Sequence, residues 1–355
     1  MRELDRIRHA LAAAAERHEA VVLVTVLAVE GSVYRGAGAR MIVSATGGTV
    51  GAVSGGCLEA DVVARAPDVL ALGRPEVVRY DTRGSDEAVM GLGMGCQGVI
   101  DLLMEPLAGQ GLEDAIAYYT RLAARRDEVT LLTLARAAVG DPAVGARLLL
   151  DGDGEPIEGD VSLLRSAGDV AREVVPPATR LLVVGGGADA IPLVALAKAM
   201  GWHVTIADHR AAFASPDRFP LADEIWCVNL PQDPEALAGH LFDARTMAVV
   251  MAHSALHDGA WLHALLDGGV GYIGVLGPRR RTLELLGARA TDGGATLPPA
   301  LHAPVGLDLG AETPDEIALS IVAEIAAERT GHSARMLRDR RGPIHDRSTA
   351  VDARA

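Results

Sequence analysis

Cys57 and Cys96 are two of only three cysteines in 355 residues, and each sits in a run of glycines: "VGAVSGGCLEA" over residues 50–60 and "GLGMGCQG" over 91–98. Packing would give a cysteine neighbours, and glycine supplies none. A thiolate is a soft donor suited to metals such as molybdenum or copper, and glycine lets a bulky ligand come against the backbone. A third stretch, "EGSVYRGAGARM" over 30–41, has the same glycine-rich character and adds arginine. Together the three suit a large anionic ligand with a reactive metal or sulfur centre. The plain alternative is that Cys57 is a small residue at a helix start.

A different chemistry is written at "RLLVVGGGADAIPLVALAKAMGWHVTIADHR", residues 180–210. A buried strand runs into Gly185-x-Gly187-x-x-Ala190, followed by a helix and a second apolar strand ending at Asp208. In this layout Gly185 allows the tight turn and Gly187 lets a pyrophosphate approach the backbone. Ala190 keeps the helix close, and the helix N-terminus offers unpaired N–H groups to an anion. Asp208 stands where a ribose-binding acid would follow the second strand. Asp189 and Pro192 lie in or beside the turn, and the Asp189 carboxylate would oppose a phosphate. A Rossmann domain without a nicotinamide cofactor fits these residues as well as one with it.

Further along, His253 and Ser254 fall at the carboxyl end of the strand "TMAVVMAHS", where open α/β sheets bind ligands. His257 reads as a solvated loop residue. "GVGYIGVLGPRRR" repeats the strand-to-helix turn and places Arg279, Arg280 and Arg281 at a helix start. Three consecutive arginines cannot share one helix face, so one or two of them reach a ligand. Thr313-Pro314-Asp315-Glu316 is a capping box with proline at the first helical position. The loop before it, with Gly306, Gly310 and Glu312, reads equally as structural or functional. Cys227, inside the apolar strand "EIWCV", reads as an inert core residue.

The elements that must hold these residues are legible in outline. Leu4, Ile7 and Leu11 mark a helix over 3–19, and "AVVLVTVLAVE" is a strand-length β-branched run. Strands "ARMIVSA", "EVVRYDT", "VIDLLMEPL", "EVTLLTLARA" and "ARLLLDG", with helices after residue 57 and near 112–126, complete a first domain. Turn-forming Asp, Gly and Pro dominate the ends of 151–180, which marks a boundary. The expected organisation is α/β in two domains. An N-terminal mixed α/β domain with glycine–cysteine loops spans 1–155, and a linker spans 156–178. A C-terminal Rossmann-like, doubly wound domain spans 179–332, and a basic flexible tail spans 333–355.

Composition narrows the function. Hydrophobic residues make up 49% and charged residues 23%, as in a soluble globular protein. No apolar run reaches the ~18 residues of a membrane helix, and the N-terminus lacks a signal-peptide layout. Three cysteines without a CxxC pair argue against a disulfide framework or a structural zinc, and for a reducing cytoplasm. A formal net charge of −14 disfavours nucleic acid and anionic membrane as partners.

Six stretches resemble the XdhC/CoxI family, maturation factors for molybdenum hydroxylases such as xanthine dehydrogenase and aerobic carbon monoxide dehydrogenase. They are "EGSVYRGAGARM", "GAVSGGCLEADV", "GLGMGCQGVIDLLMEP", "VVGGGADAIPL", "YIGVLGPRRR" and "PVGLDLGAETPDEIALSIVAEI", in the family's order from about residue 21 to 330. The resemblance implies a cofactor-insertion chaperone rather than a catalyst. Such a chaperone would bind the molybdenum cofactor (molybdopterin or its dinucleotide form), protect it, assist its sulfuration with a cysteine desulfurase and pass it to an apo molybdenum hydroxylase. It also implies a homodimer. On this view Cys57, with Gly55 and Gly56, meets the metal or sulfur end, and Cys96 is second. Arg35, Gly36 and Arg40 meet the pterin phosphate or nucleotide. The strand-to-helix layout, rather than the resemblance, makes Gly185, Gly187, Asp208, His253, Arg279 and Arg280 candidates to line a nucleotide-type cleft in the second domain. Two departures from the family pattern stand at Ala188 and Ala252, where relatives carry histidine and threonine. The competing expectation is an NAD(P)-dependent oxidoreductase using Gly185, Gly187 and Asp208, with His253 as acid–base.

Overall fold

The structure, a computed structural model, describes residues 3–31, 33–83, 98–237, 240, 242–289 and 297–341. Cys96 lies outside the described residues. The chain divides into one unit covering Glu3–Ala178 and a second that begins at Thr179.

The first unit is organised around β1 (Val21–Gly31), whose long β-branched run is buried on both faces over its first seven residues. It pairs with β2 (Arg40–Ser44) on one side and β5 (Gly98–Leu107) on the other. With β3 (Thr49–Gly51) and β4 (Glu76–Asp81) they make an antiparallel sheet in the order β3-β2-β1-β5-β4. Strand periodicity sends Val22, Val24 and Val26 to one face, where helix α2 (Glu59–Leu72) covers them with Val62, Ala66 and Val69. Val21 and Leu23 face the other way, onto α1 (Glu3–Glu16) and α3 (Gly109–Ala124). That second core also takes in Leu131, Leu149 and Val175 from another sheet.

This other sheet corrects the expected linker. β6 (Val129–Arg136), β7 (Arg147–Leu150), β8 (Pro156–Gly159) and β9 (Asp169–Val175) form an antiparallel sheet in the order β8-β7-β6-β9. Residues 156–178 therefore carry two paired strands and belong to the first unit. The turn-rich "DGDGEP" that suggested a linker is a hairpin turn. There the Asp151 carboxylate accepts from the Asp153 and Glu155 N–H groups, each at 2.9 Å.

In the second unit the described residues form six parallel strands in the order β12-β11-β10-β13-β14-β15. They are β10 (Arg180–Val184), β11 (His203–Asp208), β12 (Glu224–Cys227), β13 (Thr246–Val250), β14 (Tyr272–Val275) and β15 (Leu301–His302). Numbered from β10 this is 3-2-1-4-5-6, the doubly wound dinucleotide-fold order, whose switch point lies between β10 and β13. Helices α4 (Ala190–Ala199), α5 (Ala255–Asp267), α6 (Arg279–Leu286) and α7 (Pro314–Thr330) complete it. α4 and α7 share one core with β10, β11 and β13, and α5 packs into the core on the opposite face. Cys227 ends the outer strand β12, paired only with Asp208 of β11 on its inner side, and is exposed, not a core residue.

The capping box at the start of α7 forms as expected. Thr313 Oγ1 accepts from Glu316 N–H, and Glu316 Oε2 accepts from Thr313 N–H at 2.9 Å. The loop ahead of it proves to be pinned to the same helix. Ser320 Oγ donates to Leu307 O at 2.6 Å, and Gly306 N–H donates to Glu324 at 2.8 Å. Thr313→Ala is expected to lower stability by about 1 kcal/mol in a denaturant titration, the usual value of an N-cap.

Candidate functional site

The cysteine loop of the first unit is held by two side chains that sequence reading passed over. Glu59, the first residue of α2, turns back. Its Oε1 accepts from Ser54 N–H at 2.8 Å and Val53 N–H at 3.2 Å, and its Oε2 accepts from the Ser54 hydroxyl. Ser54 Oγ in turn accepts from Leu58 N–H at 3.0 Å and Gly56 N–H at 3.2 Å. Residues 53–59 thus close into a small ring of hydrogen bonds. Burial pushes the Glu59 carboxyl upward, but the Ser54 hydroxyl and the backbone N–H groups outweigh it and hold the group below its ordinary range. A Ser five residues ahead of a Glu at a helix start was the available clue.

Within that ring Cys57 is half-buried and packs partly against the core under α2. Gly56 adopts φ +107°, and a Cβ built on it meets nothing within 4 Å, so the backbone beside the thiol is open. At Gly55 a Cβ would lie 3.4 Å from the Tyr34 ring, which brings the 30–41 loop against the cysteine loop. Tyr34 is itself 69% exposed.

The arginines of that loop go elsewhere. Arg35 pairs with Glu3. Arg40 is buried, and its guanidinium makes a two-pronged pair with Glu173 of β9, at 3.0 and 2.6 Å, and donates to Gly38 O at 2.7 Å. The expectation that Arg40 meets an anionic ligand is corrected on this ground: its donors are turned inward to join β2 to β9. Among the described residues no group of three or more His, Cys, Asp or Glu side chains is arranged to hold a metal ion.

In the second unit the three glycines of the turn after β10 have three different reasons. Gly185 has φ +109°, and a Cβ there would sit 2.5 Å from the backbone of Ala252. Gly186 is fixed from both sides: its N–H donates to Asp208 at 2.8 Å, and its carbonyl accepts from Arg218 Nε at 2.7 Å. A Cβ there would strike Phe213 O at 2.2 Å. Gly187 alone of the three faces open space within 4 Å, at the start of α4. That is the position where a phosphate cradle would be used.

Asp208 does not do what its spacing suggested. Its carboxylate is fully buried. Besides Gly186 N–H it accepts from Arg210 N–H at 2.8 Å, Nε at 2.9 Å and Nη2 at 2.8 Å. Burial pushes the carboxyl up, but Arg210 and the two backbone donors prevail and hold it down at about 2. No oxygen is left for a ribose hydroxyl, so the expected ribose role is corrected to a structural one.

Around the switch point His253 follows β13 in the left-handed region, at φ +57°. Its imidazole is 60% exposed, with Nε2 3.2 Å from Asp189 Oδ2. His257 is not a solvated loop residue. It lies in the first turn of α5, accepts or donates at 2.9 Å with Ser254 Oγ, and stacks on His209 with ring centroids 3.6 Å apart. Burial and then the neighbouring His209 hold its basicity below the ordinary histidine range.

Of the three arginines at α6, Arg279 and Arg280 are exposed, Arg280 pairing with Glu284 one turn on at 3.0 Å. Arg281 turns inward to the buried carboxylate of Asp258, which also accepts from Ala252 N–H at 3.0 Å. Asp258 and Arg281 thus brace the segment beneath His253, a role that sequence spacing did not reveal.

Fold and site together define a two-unit α/β protein, with an open glycine beside a half-buried thiol in one unit and a doubly wound sheet with an open phosphate-type turn in the other. The XdhC and CoxI family matches residues 14–81, and the XdhC Rossmann domain matches residues 181–325. The chain belongs to this family. It is 32% identical over 334 residues to a probable xanthine dehydrogenase component of Bacillus subtilis, covering 88% of this chain and 94% of that one. It is 26% identical over 312 residues to the molybdenum cofactor insertion chaperone PaoD of Escherichia coli, covering 87% and 83%. A crystal structure of a xanthine dehydrogenase from Bacillus halodurans is similar with a TM-score of 0.76 and 30% identity, covering 95% of this chain and 98% of that one.

Proposed function

We propose that this protein binds the molybdenum cofactor, protects it, assists its sulfuration together with a cysteine desulfurase, and delivers it to an apo molybdenum hydroxylase. The observation that carries this reading is the half-buried Cys57 beside the open backbone of Gly56, in a loop locked by Ser54 and Glu59. The name of the Escherichia coli relative and the family membership support it.

A molybdenum cofactor brings its own sulfur donors to the metal, so one protein thiolate suffices to hold that end or to relay sulfur to it. Gly56 leaves room for a bulky ligand, and Tyr34 offers an exposed aromatic face next to it. Gly187 offers a second open backbone position, suited to a phosphate. The nicotinamide-dependent alternative loses its ribose contact, because the Asp208 carboxylate is enclosed.

The test is to purify the protein without oxygen from cofactor-producing cells and to assay molybdenum and oxidised pterin. Wild type is expected to carry both. Cys57→Ala should lose molybdenum by about tenfold, the effect of removing about 1.4 kcal/mol of ligand affinity. Absence of pterin and metal from wild type overturns the proposal. A melting temperature raised by NAD or NADP in wild type but not in Gly187→Val would install the oxidoreductase reading in its place.

A further inference from the structure

Helix α7 is apolar on the side where the outer helix of a doubly wound sheet is ordinarily polar. Over residues 317–327 its polar side chains are Ser320 and Glu324, and the fold uses both on the inner side. Ser320 Oγ donates to Leu307 O, while Glu324 accepts from Gly306 N–H and from the Tyr272 hydroxyl. Ala318, Ile321 and Ile325 are buried in the core beneath. The outward side is left to Leu319, 53% exposed, with Ala323 and Ala326 one and two turns further on. Beside it α4 packs against α7 and adds Ile191 and Ala195, both exposed. An apolar surface shared by two neighbouring helices marks an interface rather than a solvated face.

Charge at the ends of α7 selects the occupant. Asp315 lies in the first turn and Arg329 in the last, both exposed, and among the described residues neither is in an ion pair. At 1.5 Å of rise per residue they are about 20 Å apart, too far to meet on one helix. A second α7 laid antiparallel, crossing near Ala323, brings Asp315 of each copy towards Arg329 of the other at both ends. Leu319 then falls on the alanines of the facing helix, large against small, and alanine lets the two backbones approach closely. The surface is thus its own complement, which a two-fold contact requires. A stable interface buries more than about 1,000 Å² in total, and α4 beside α7 supplies width that one helix lacks.

We infer that the α4–α7 face of the second unit binds a second copy of this chain, α7 against α7 and antiparallel, about a two-fold axis near Ala323. The inference goes beyond the cofactor reading and does not depend on it.

Sedimentation equilibrium of the full chain tests it. Wild type is expected to be a dimer with a dissociation constant of about 1 μM or tighter. Leu319→Glu should weaken the dimer about a hundredfold or more, because each interface then buries two carboxylates. The same variant should still unfold cooperatively, since the leucine it replaces is exposed in the single chain. Arg329→Asp should weaken the dimer about tenfold, and adding Asp315→Arg to it should restore wild-type association. Ala323→Cys should cross-link to its own copy under mild oxidation, with peptide mapping placing the bond at residue 323. Leu256→Cys, equally exposed but on α5 across the sheet, should not. A chain that stays monomeric at about 100 μM assigns the face to a different protein and overturns the proposal. So does a dimer that Leu319→Glu leaves intact, or one that cross-links through residue 256 as readily as through 323.

Discussion

Glu173→Ala is expected to destabilise the first unit by about 3–5 kcal/mol, the cost of leaving a buried charge without its partner. Arg40 is 2% exposed, and Glu173 reaches it from β9, a strand 133 positions away in sequence, with both carboxylate oxygens engaged. The Arg40 guanidinium also lies over the Tyr119 ring, 5.4 Å from the centroid. Alanine would strand the guanidinium between two sheets with a single backbone carbonyl, Gly38 O, as compensation. Replacing both members, Arg40→Met with Glu173→Leu, should recover most of the loss, since no charge is then left buried. Denaturant unfolding of the two variants measures the difference. If Glu173→Ala is as stable as wild type, Arg40 is not the staple described here and becomes available again to an anionic ligand.

The second large effect is expected at Asp208. Asp208→Ala removes the acceptor of Gly186 N–H and of three Arg210 donors, and should cost about 3 kcal/mol, with the glycine turn released from the sheet. The effect carries a pH signature with a definite sign. The folded carboxyl titrates at about 2, below its unfolded value of about 3.9, so its contribution is complete above about pH 4 and is lost as the pH falls through about 2. Asp208→Asn should flatten the acid limb of stability across that window and leave the neutral region sloping as before. Unfolding curves between about pH 2 and 5 for the two proteins decide it. Equal acid slopes would mean that the carboxylate is not held by Arg210 and Gly186 in solution.

Much of the frame was legible because it follows from periodicity and punctuation. Leu4, Ile7 and Leu11 face one core from α1, and the β-branched run of residues 21–31 is a strand buried on both faces over its first seven residues. The capping box starts α7 at Thr313, and the strand–glycine–helix layout of 180–208 belongs to a doubly wound sheet. What misled was composition read without pairing. Asp151, Gly152 and Gly154 punctuate a hairpin as readily as a linker, and only the partners of β8 and β9 distinguish the two. Side-chain roles were harder still. Spacing placed Asp208 at the end of its strand, but not that Arg210, two residues on, would close over it. Nor can a local motif show that Arg40 would find Glu173, or that Arg281 rather than its two neighbours would turn inward to Asp258. Cys227 sits in an apolar run and is exposed all the same, because nothing local in the sequence marks a strand as the sheet's edge.

If the protein carries a cofactor as proposed, the ring formed by Ser54 and Glu59 has a kinetic meaning. A loop that is already closed before its cargo arrives loses little conformational freedom on loading, so capture is fast and the loaded and empty forms share one shape. On the proposed function, unloading would be driven from outside, by a recipient that holds the cargo more tightly or that competes for the thiol, and the acceptor rather than the donor would set the direction of transfer.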